Sequence, residues 1–458
     1  MACCRTLKEP SRWLLALSLI ALAWGGCVST QERFERAQNF ESEGRYAEAA
    51  RAYVEVLEDE PDFPNAQDSL ASAAQRAMEN WINDARSATD ADRYERAVNH
   101  LDEVRDLHEA CQSVDVRVPL PESYTVFRTD TERRAADALI EEAQEATNAE
   151  SWEVAFNAYE RARRYIDDRD RLQAIDEQQA NVLFGWADTE MQRGTYRGAY
   201  QRAARIFDLV PASHPLVAEA EALQTEAIER GTQRVAFLPL WRTETAGRAL
   251  SEVFLPDLND VLNARYWASP PRFIASADPI AVRRTMRRNG TSRAVLSRRE
   301  AAAVGRSVDA AFVVTGEVTE FIATETDVDE ERVRVAYVPN GRSRTSGRQN
   351  GGSVPTDTSY VYRTYDFEVE AVVDYRVVDV QTRRVVDRGT SRAEAEGEME
   401  DGRFSGDWRN LDLSGSERDL FDPILLERRQ RDIETRLLDR LADEYANVAY
   451  DGVLDEIE

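Results

Sequence analysis

Few residues in this chain are of the types that do chemistry. Its 458 residues hold three histidines, His100, His108 and His214, and four cysteines. His108 and Cys111 stand three positions apart, a spacing that puts both on one helix face. A metal site would need further ligands, and nothing near them in the sequence supplies any. The plainer reading is a half-exposed helix histidine beside a core cysteine. No G-x-S-x-G, P-loop or H-E-x-x-H pattern occurs. Residues 231–450 contain neither His nor Cys, which removes the usual triads and thiol nucleophiles. The 85 Asp and Glu form many carboxylate pairs, but such pairs catalyse only when a pocket sets their separation. The expectation is a protein without catalysis, cofactor or metal.

Arginine offers a different chemistry. The formal net charge is -27, and Lys8 is the only lysine. Such a balance argues against a general affinity for nucleic acid, whose phosphates need cations, and favours basic or neutral partners. A high-salt habitat or an Arg-favouring codon bias would each produce it. Against this background, residues 283–306 hold eight arginines and one acid, Glu300. On a helix, Arg283, Arg284, Arg287 and Arg288 share a face, and Arg298 and Arg299 follow. The patch suits an anionic partner: lipid headgroups, peptidoglycan carboxylates or an acidic protein. It equally suits a solvated face, or pairing with the chain's own acidic helices. Arg342, Arg344 and Arg348 carry the same two readings, contact with an anionic surface or a plain linker.

Four related stretches organise the first half: "GRYAEAARAY" at Gly44, "DRYERAVNHL" at Asp92, "ESWEVAFNAY" at Glu150 and "GTYRGAYQRA" at Gly194. Each has a turn residue, then an aromatic (Tyr46, Tyr94, Trp152, Tyr196), then Ala three places on (Ala49, Ala97, Ala155, Ala199). A large or small apolar residue follows four later (Tyr53, Leu101, Tyr159, Ala203). Copies one and four close on Pro61 and Pro211. This resembles the second half of a tetratricopeptide repeat, although the copies recur every 44 to 58 residues rather than about 34. The resemblance implies irregular helical hairpins whose stacked surface binds a protein partner. Tyr53, Tyr159 and Trp152 read as core rather than groove.

Periodicity over residues 31–230 predicts about nine helices: 31–43, 46–58, 65–88, 93–111, 130–149, 151–166, 170–193, 196–209 and 213–230. "VDVRVPLPESYTVF" (114–127) alternates and carries two prolines, so it predicts an extended break between two sets of hairpins. Its alternative role is a docking strap. From residue 232 strands and helices alternate: "RVAFLPL", a helix over 249–264 kinked or split by Pro256, "RFIASA", helices "PIAVRRTMRRNG" and "SRREAAAVGRSV", then "DAAFVVTGEVTEF". Residues 339–358 read as a flexible loop. "YDFEVEAVVDYRVVDV" alternates strictly, with Phe367, Val369, Ala371, Val373, Tyr375 and Val377 on one face, an antiparallel strand half in water. A turn at Gln381–Thr382 returns the chain, residues 398–419 read as loop, and a last helix over 423–449 buries Leu425, Ile433, Leu437, Leu441 and Tyr445.

The N-terminus sets the compartment. Arg5, Lys8 and Arg12 precede an apolar run at 13–24, too short to span a bilayer and laid out as a signal peptide. "GGC" ending at Cys27 resembles the bacterial lipobox, with Trp24 where that motif prefers Leu. The resemblance implies a lipidated Cys27; the alternative is cleavage after Ala23. Without an Asp after Cys27, the sorting rule implies the outer membrane. Cys3 and Cys4 then leave with the signal, Cys111 stands alone, and no disulfide forms.

"RVAFLPL", "RFIAS", "AAAVGRSVDAAFVVTGEVTEF" and the "YRVVDVQTRRVV" hairpin are together similar to the α/β domain of the curli-secretion lipoprotein family. The penicillin-binding-protein activator lipoproteins and the N-terminal domain of TolB have related folds. The expected fold is therefore multidomain. A signal peptide (1–26) precedes a tetratricopeptide-like helical solenoid (27–112 and 130–230, linker 113–129). An α/β domain with a mixed, partly antiparallel sheet (231–450) follows. The expected role is a non-catalytic outer-membrane lipoprotein facing the periplasm, an adaptor or assembly factor held by its lipid anchor. The repeats would bind an envelope protein, and the α/β domain would hold a second partner or a homo-oligomer. The resemblance also admits an oligomeric secretion component and a peptidoglycan-synthase activator. A channel would need a membrane-inserting hairpin, and the clearest hairpin has a charged outer face that lipid penalises.

Overall fold

A computed structural model describes residues 29–244, 246, 252–291, 296–338 and 356–457. Cys27 and the signal segment, Arg293, and residues 339–355 with Arg342, Arg344 and Arg348 lie outside the described residues. The chain forms two compact units: residues 1–185 with 208–211, and residues 186–207 with 212–458.

The helical part consists of α1 (Thr30–Ser42), α2 (Tyr46–Asp59), α3 (Ala66–Asp90), α4 (Tyr94–Ser113), α5 (Tyr124–Asn148), α6 (Trp152–Arg163), α7 (Arg169–Arg193), α8 (Tyr196–Leu209) and α9 (Pro215–Gly231). The four related stretches prove to be one local structure repeated. In each, the turn residue takes a left-handed backbone: φ is +77° at Gly44, +56° at Asp92, +54° at Glu150 and +85° at Gly194. The next residue sends its N–H five residues back, from Arg45 to Phe40, Arg93 to Ala88, Ser151 to Ala146 and Thr195 to Glu190. This is the Schellman closure of a helix C-terminus. The aromatic then opens the next helix in every copy. Ala49, Ala97, Ala155 and Ala199 are all fully buried. Pro61 and Pro211 lie just past α2 and α8, where a ring that cannot continue a helix does no harm.

A carboxylate side chain at the left-handed position is a local conflict, since a Cβ there costs roughly 1–2 kcal/mol. Glu150→Gly is therefore expected to stabilise the first unit by about 1 kcal/mol. Gly194→Ala, whose Cβ meets nothing within 4 Å, is expected to cost a similar amount through φ alone. Urea denaturation of the two variants checks both signs.

The extended break is shorter than the sequence pattern placed it. Helix α5 begins at Tyr124 rather than near residue 130. Pro119 and Pro121 both precede it, and Tyr124 is buried with its hydroxyl donating to the Leu101 carbonyl at 2.8 Å. That anchor makes the early start favourable. Val116 and Val118 are also buried, so the segment packs on the hairpins.

In the second unit the strands are β1 (Gln233–Phe237), β2 (Trp241–Arg242), β3 (Ile274–Ser276), β4 (Phe312–Tyr337), β5 (Thr356–Asp379) and β6 (Val385–Arg403). Besides the end of α7, most of α8 and all of α9, its helices include α10 (Phe254–Val261), α11 (Pro279–Arg288), α12 (Arg298–Ser307), α13 (Gly415–Asp419) and α14 (Pro423–Leu454). The strand order is β3-β1-β4-β5-β6, with β2 also on β4. β1 pairs in parallel with β3 and β4, and β2 in parallel with β4; β5 pairs antiparallel with β4 and β6. The helical region followed by a mixed-sheet α/β domain agrees with the sequence reading.

Several local expectations are corrected. Pro256 neither kinks nor splits a helix: it is the third residue of α10, in the first turn, where its missing N–H would have no partner. Residues 398–403 are not loop but the end of β6, paired with β5 from Val361 to Asp366. Met399 there is fully buried, so core burial overrides the acidic composition. Residues 356–358, assigned to the flexible loop, are strand and pair with Val335 to Tyr337. Leu425 of α14 is only half-buried.

The sheet has two different faces. Phe367, Val369, Ala371, Val373, Tyr375 and Val377 meet α10 and α14 in the larger core. On β6, Gly389, Ser391, Ala393, Ala395 and Gly397 occupy the same face, and their small size lets the long helix α14 lie close. On the opposite face Val313, Val378 and Val380 pack under Val282, Met286, Ala301, Ala302 and Val304 of α11 and α12. Farther along the ribbon the apolar face changes sides. Tyr360, with Leu411, Leu413, Leu420 and Phe421, forms a separate cluster on the face away from α14. The β4 register shift between Thr326 and Asp329 lies at this crossover, and Arg363 sits beside it.

Candidate functional site

The residues singled out for metal or thiol chemistry do not make a site. Cys111 is fully buried, and burial pushes its thiol up to about 11, so it holds its proton at neutral pH. His108 Nε2 lies 2.8 Å from Gln112 Nε2. Among the described residues no group of three potential metal ligands occurs. Tyr53 and Tyr159 are core, and the Trp152 ring leaves no room for a side chain at Gly185, where a Cβ would come within 2.6 Å. Tyr46 and Tyr196 are half-buried at the starts of their helices.

The arginines do form a surface. Asp278 caps α11 by accepting from the Ile280 N–H at 2.9 Å, and Pro279 opens the helix with its φ already suited. Val282, Thr285 and Met286 turn inward. That phase leaves Ile280, Arg283, Arg284, Arg287 and Arg288 together on the outside. All four arginines are exposed, and Ile280 is 65% exposed. On α12, Ala301, Ala302, Val304 and Gly305 face the sheet, and Arg298, Arg299 and Arg306 are exposed.

Electrostatically the face is unbalanced. The guanidinium of none of these seven arginines makes an ion pair or hydrogen bond with any described residue, whereas those of many of the chain's other arginines do. Pairing with the chain's own acidic helices is therefore not seen among the described residues. Glu300, the single acid of the stretch, is engaged in a capping box: it accepts from the Ser297 N–H at 2.8 Å and from its hydroxyl at 2.6 Å. These bonds hold its carboxyl below the ordinary carboxylate range. The like-charged pairs Arg283–Arg287 and Arg284–Arg288 stand one helical turn apart, each costing about 0.2–0.5 kcal/mol. Arg298 and Arg299 occupy the first turn of α12, the end at which the helix dipole opposes a cation. The face would be relieved by negative charge brought from outside.

Beyond the helices the same sheet face is mixed. Arg376 and Arg388 are directly opposed across β5 and β6, beside Glu317 and Asp374, around a shallow depression of about 460 Å³. Ile280 and the buried Arg363 were not singled out in the sequence. The signal for Ile280 was available, since 280, 283, 284, 287 and 288 are one helical face.

No family model and no curated protein matches the chain. Among solved structures it is similar to the hypothetical protein CT253 from Chlamydia trachomatis, at 16% identity and a TM-score of 0.20, over 46% of this chain and 99% of that one. A superposition at that score supports no statement about fold or function.

Proposed function

We propose that this chain is a non-catalytic cell-envelope lipoprotein, anchored through Cys27 to the outer membrane and facing the periplasm, that acts as a protein-binding adaptor or assembly factor. The observation that carries the reading is the fourfold recurrence of one hairpin: left-handed turn residue, aromatic helix start and buried alanine. Repeated hairpins of this kind present an extended surface suited to a peptide or a partner helix. Lipidation at Cys27 rests on its sequence context, and several acyl chains hold a protein to a bilayer firmly.

A second reading, an oligomeric secretion component, draws on the long β4–β5 hairpin, whose strands span 26 and 24 residues. Its face opposite α14 carries Asp366, Glu368, Glu370 and Asp374, charges that hydrocarbon would oppose. Mass photometry of the detergent-extracted protein separates the two readings. The adaptor reading expects one copy, together with a mass increment for acyl chains at Cys27 in intact-mass spectra. A discrete multi-copy species would favour the secretion component. Unmodified Cys27 would remove the anchor.

A further inference from the structure

We propose that the outer face of α11 is a docking surface for an anionic phospholipid membrane, with Arg283, Arg284, Arg287 and Arg288 meeting headgroup phosphates and Ile280 entering the interfacial layer.

The argument begins with charge. A chain of net charge -27 gathers seven exposed, unneutralised arginines on two adjacent helices. The inward faces of both helices hold them to the sheet with Val282, Met286, Ala301, Ala302 and Val304; Arg287, Arg288 and Arg306 stand in last turns, where the helix dipole favours a cation, yet none has a carboxylate partner among the described residues. Their mutual repulsion goes unanswered within the described residues.

The composition of the face selects its occupant. A stable protein interface has an apolar centre ringed by polar groups. Among the described residues this face offers a single exposed large apolar side chain, Ile280, among guanidinium groups, and no apolar centre. A bilayer asks for no such centre. Each basic residue near an anionic surface adds attraction independently, and the effect acts within about one Debye length, roughly 8 Å at physiological salt. Guanidinium also forms paired bonds to phosphate oxygens. The acidic remainder of the chain is repelled by the same surface, and this fixes which side faces the lipid.

The arrangement is independent of the lipid anchor, so the test removes it. Protein made from Val28 onward, without the signal segment and Cys27, would be co-sedimented with vesicles of phosphatidylethanolamine containing about one quarter phosphatidylglycerol, and with phosphatidylcholine vesicles. In that background, a variant with Arg283, Arg284, Arg287 and Arg288 changed to Gln is compared with one in which the exposed Arg428, Arg429, Arg431 and Arg436 are changed to Gln. The first is expected to lose at least about tenfold in partitioning onto the anionic vesicles, the second little, and both differences are expected to fade at high salt. Circular dichroism confirms that both variants fold. Equal losses in the two variants would make the effect one of net charge and overturn the proposal. So would binding indifferent to phosphatidylglycerol. Failure on vesicles with retention on a polyglutamate resin, lost in the first variant, would assign the face to an acidic polypeptide and likewise overturn it. The adaptor reading survives each of these outcomes, since it concerns the helical hairpins.

Discussion

Arg363→Ala is expected to lower the stability of the second unit by about 3–5 kcal/mol, the cost of leaving a buried ion cluster without its cation. The side chain of Arg363 is 3% exposed. Its guanidinium pairs with Glu325, reaches Asp401 at 3.1 Å and Glu330 at 3.5 Å, and lies 4.8 Å over the Tyr365 ring. Glu325 and Glu330 remain 41% and 57% exposed and can be rehydrated, so they contribute little of the penalty. Asp401 cannot: its side chain is 13% exposed and its Oδ1 has no hydrogen-bond partner. Removing the guanidinium leaves that carboxylate, at the crossover between the two apolar faces of the ribbon, with only the exposed Arg403, whose Nε stands 3.9 Å from Oδ1.

The pH dependence has a definite sign. Burial already raises the Asp401 pKa, and Arg363 is the first of the groups that pull it back. Without Arg363 the folded variant holds that proton more tightly than the unfolded chain does. Its stability therefore rises as pH falls through the carboxylate range, and the defect shrinks. Adding Asp401→Leu to Arg363→Met is expected to restore most of the loss, because the buried charge is then gone altogether. Urea titrations at neutral and mildly acid pH provide the comparison. A single-variant loss under about 1 kcal/mol would mean that water reaches the cluster.

Gly316→Ala is expected to destabilise the same unit by about 1–3 kcal/mol through overpacking. Strand propensity argues the other way, since Ala gains roughly 0.5–1 kcal/mol over Gly inside a strand. Contact decides the sign. A Cβ at residue 316 would lie 2.4 Å from Leu240 Cδ2 and 2.6 Å from the Tyr445 hydroxyl oxygen. Leu240 and Tyr445 are 2% and 1% exposed, so neither side chain has room to withdraw. Tyr445→Phe in the Gly316→Ala background removes one of the two clashes and is expected to recover part of the loss. Thermal unfolding of the three variants settles the order. A neutral Gly316→Ala would show that this part of the core yields easily.

Much of the architecture was legible from local pattern. The turn–aromatic–alanine recurrence located four helix starts, and Pro279 with Gly290 bracketed α11. The alternation from Phe367 to Val377 gave the strand, its buried face and its wet face. The change of apolar face was also written in "YVYRTYDF": Tyr360 and Tyr362 keep one parity, Tyr365 and Phe367 the other, with Arg363 and Thr364 at the switch. Residues 398–403 were missed because four glutamates, Glu394, Glu396, Glu398 and Glu400, dominate their neighbourhood. Ala395 and Gly397 between them face α14, and Gly397 meets Ile433, 36 positions on, a partner that local composition does not announce.

Periodicity thus specifies which residues share a face, because backbone geometry repeats every 3.6 or every 2 residues regardless of context. What each face meets depends on contacts between segments far apart in the chain. Only the assembled second unit shows that the arginines of α11 and α12 find no described carboxylate and that Arg363 is enclosed. The same holds for Gly305 and Gly316: the first lets α12 settle on Val313 and Val380, and the second admits Leu240 and Tyr445. Those outcomes turn on distances of a few ångströms between segments distant in sequence, and no spacing within a single segment encodes them.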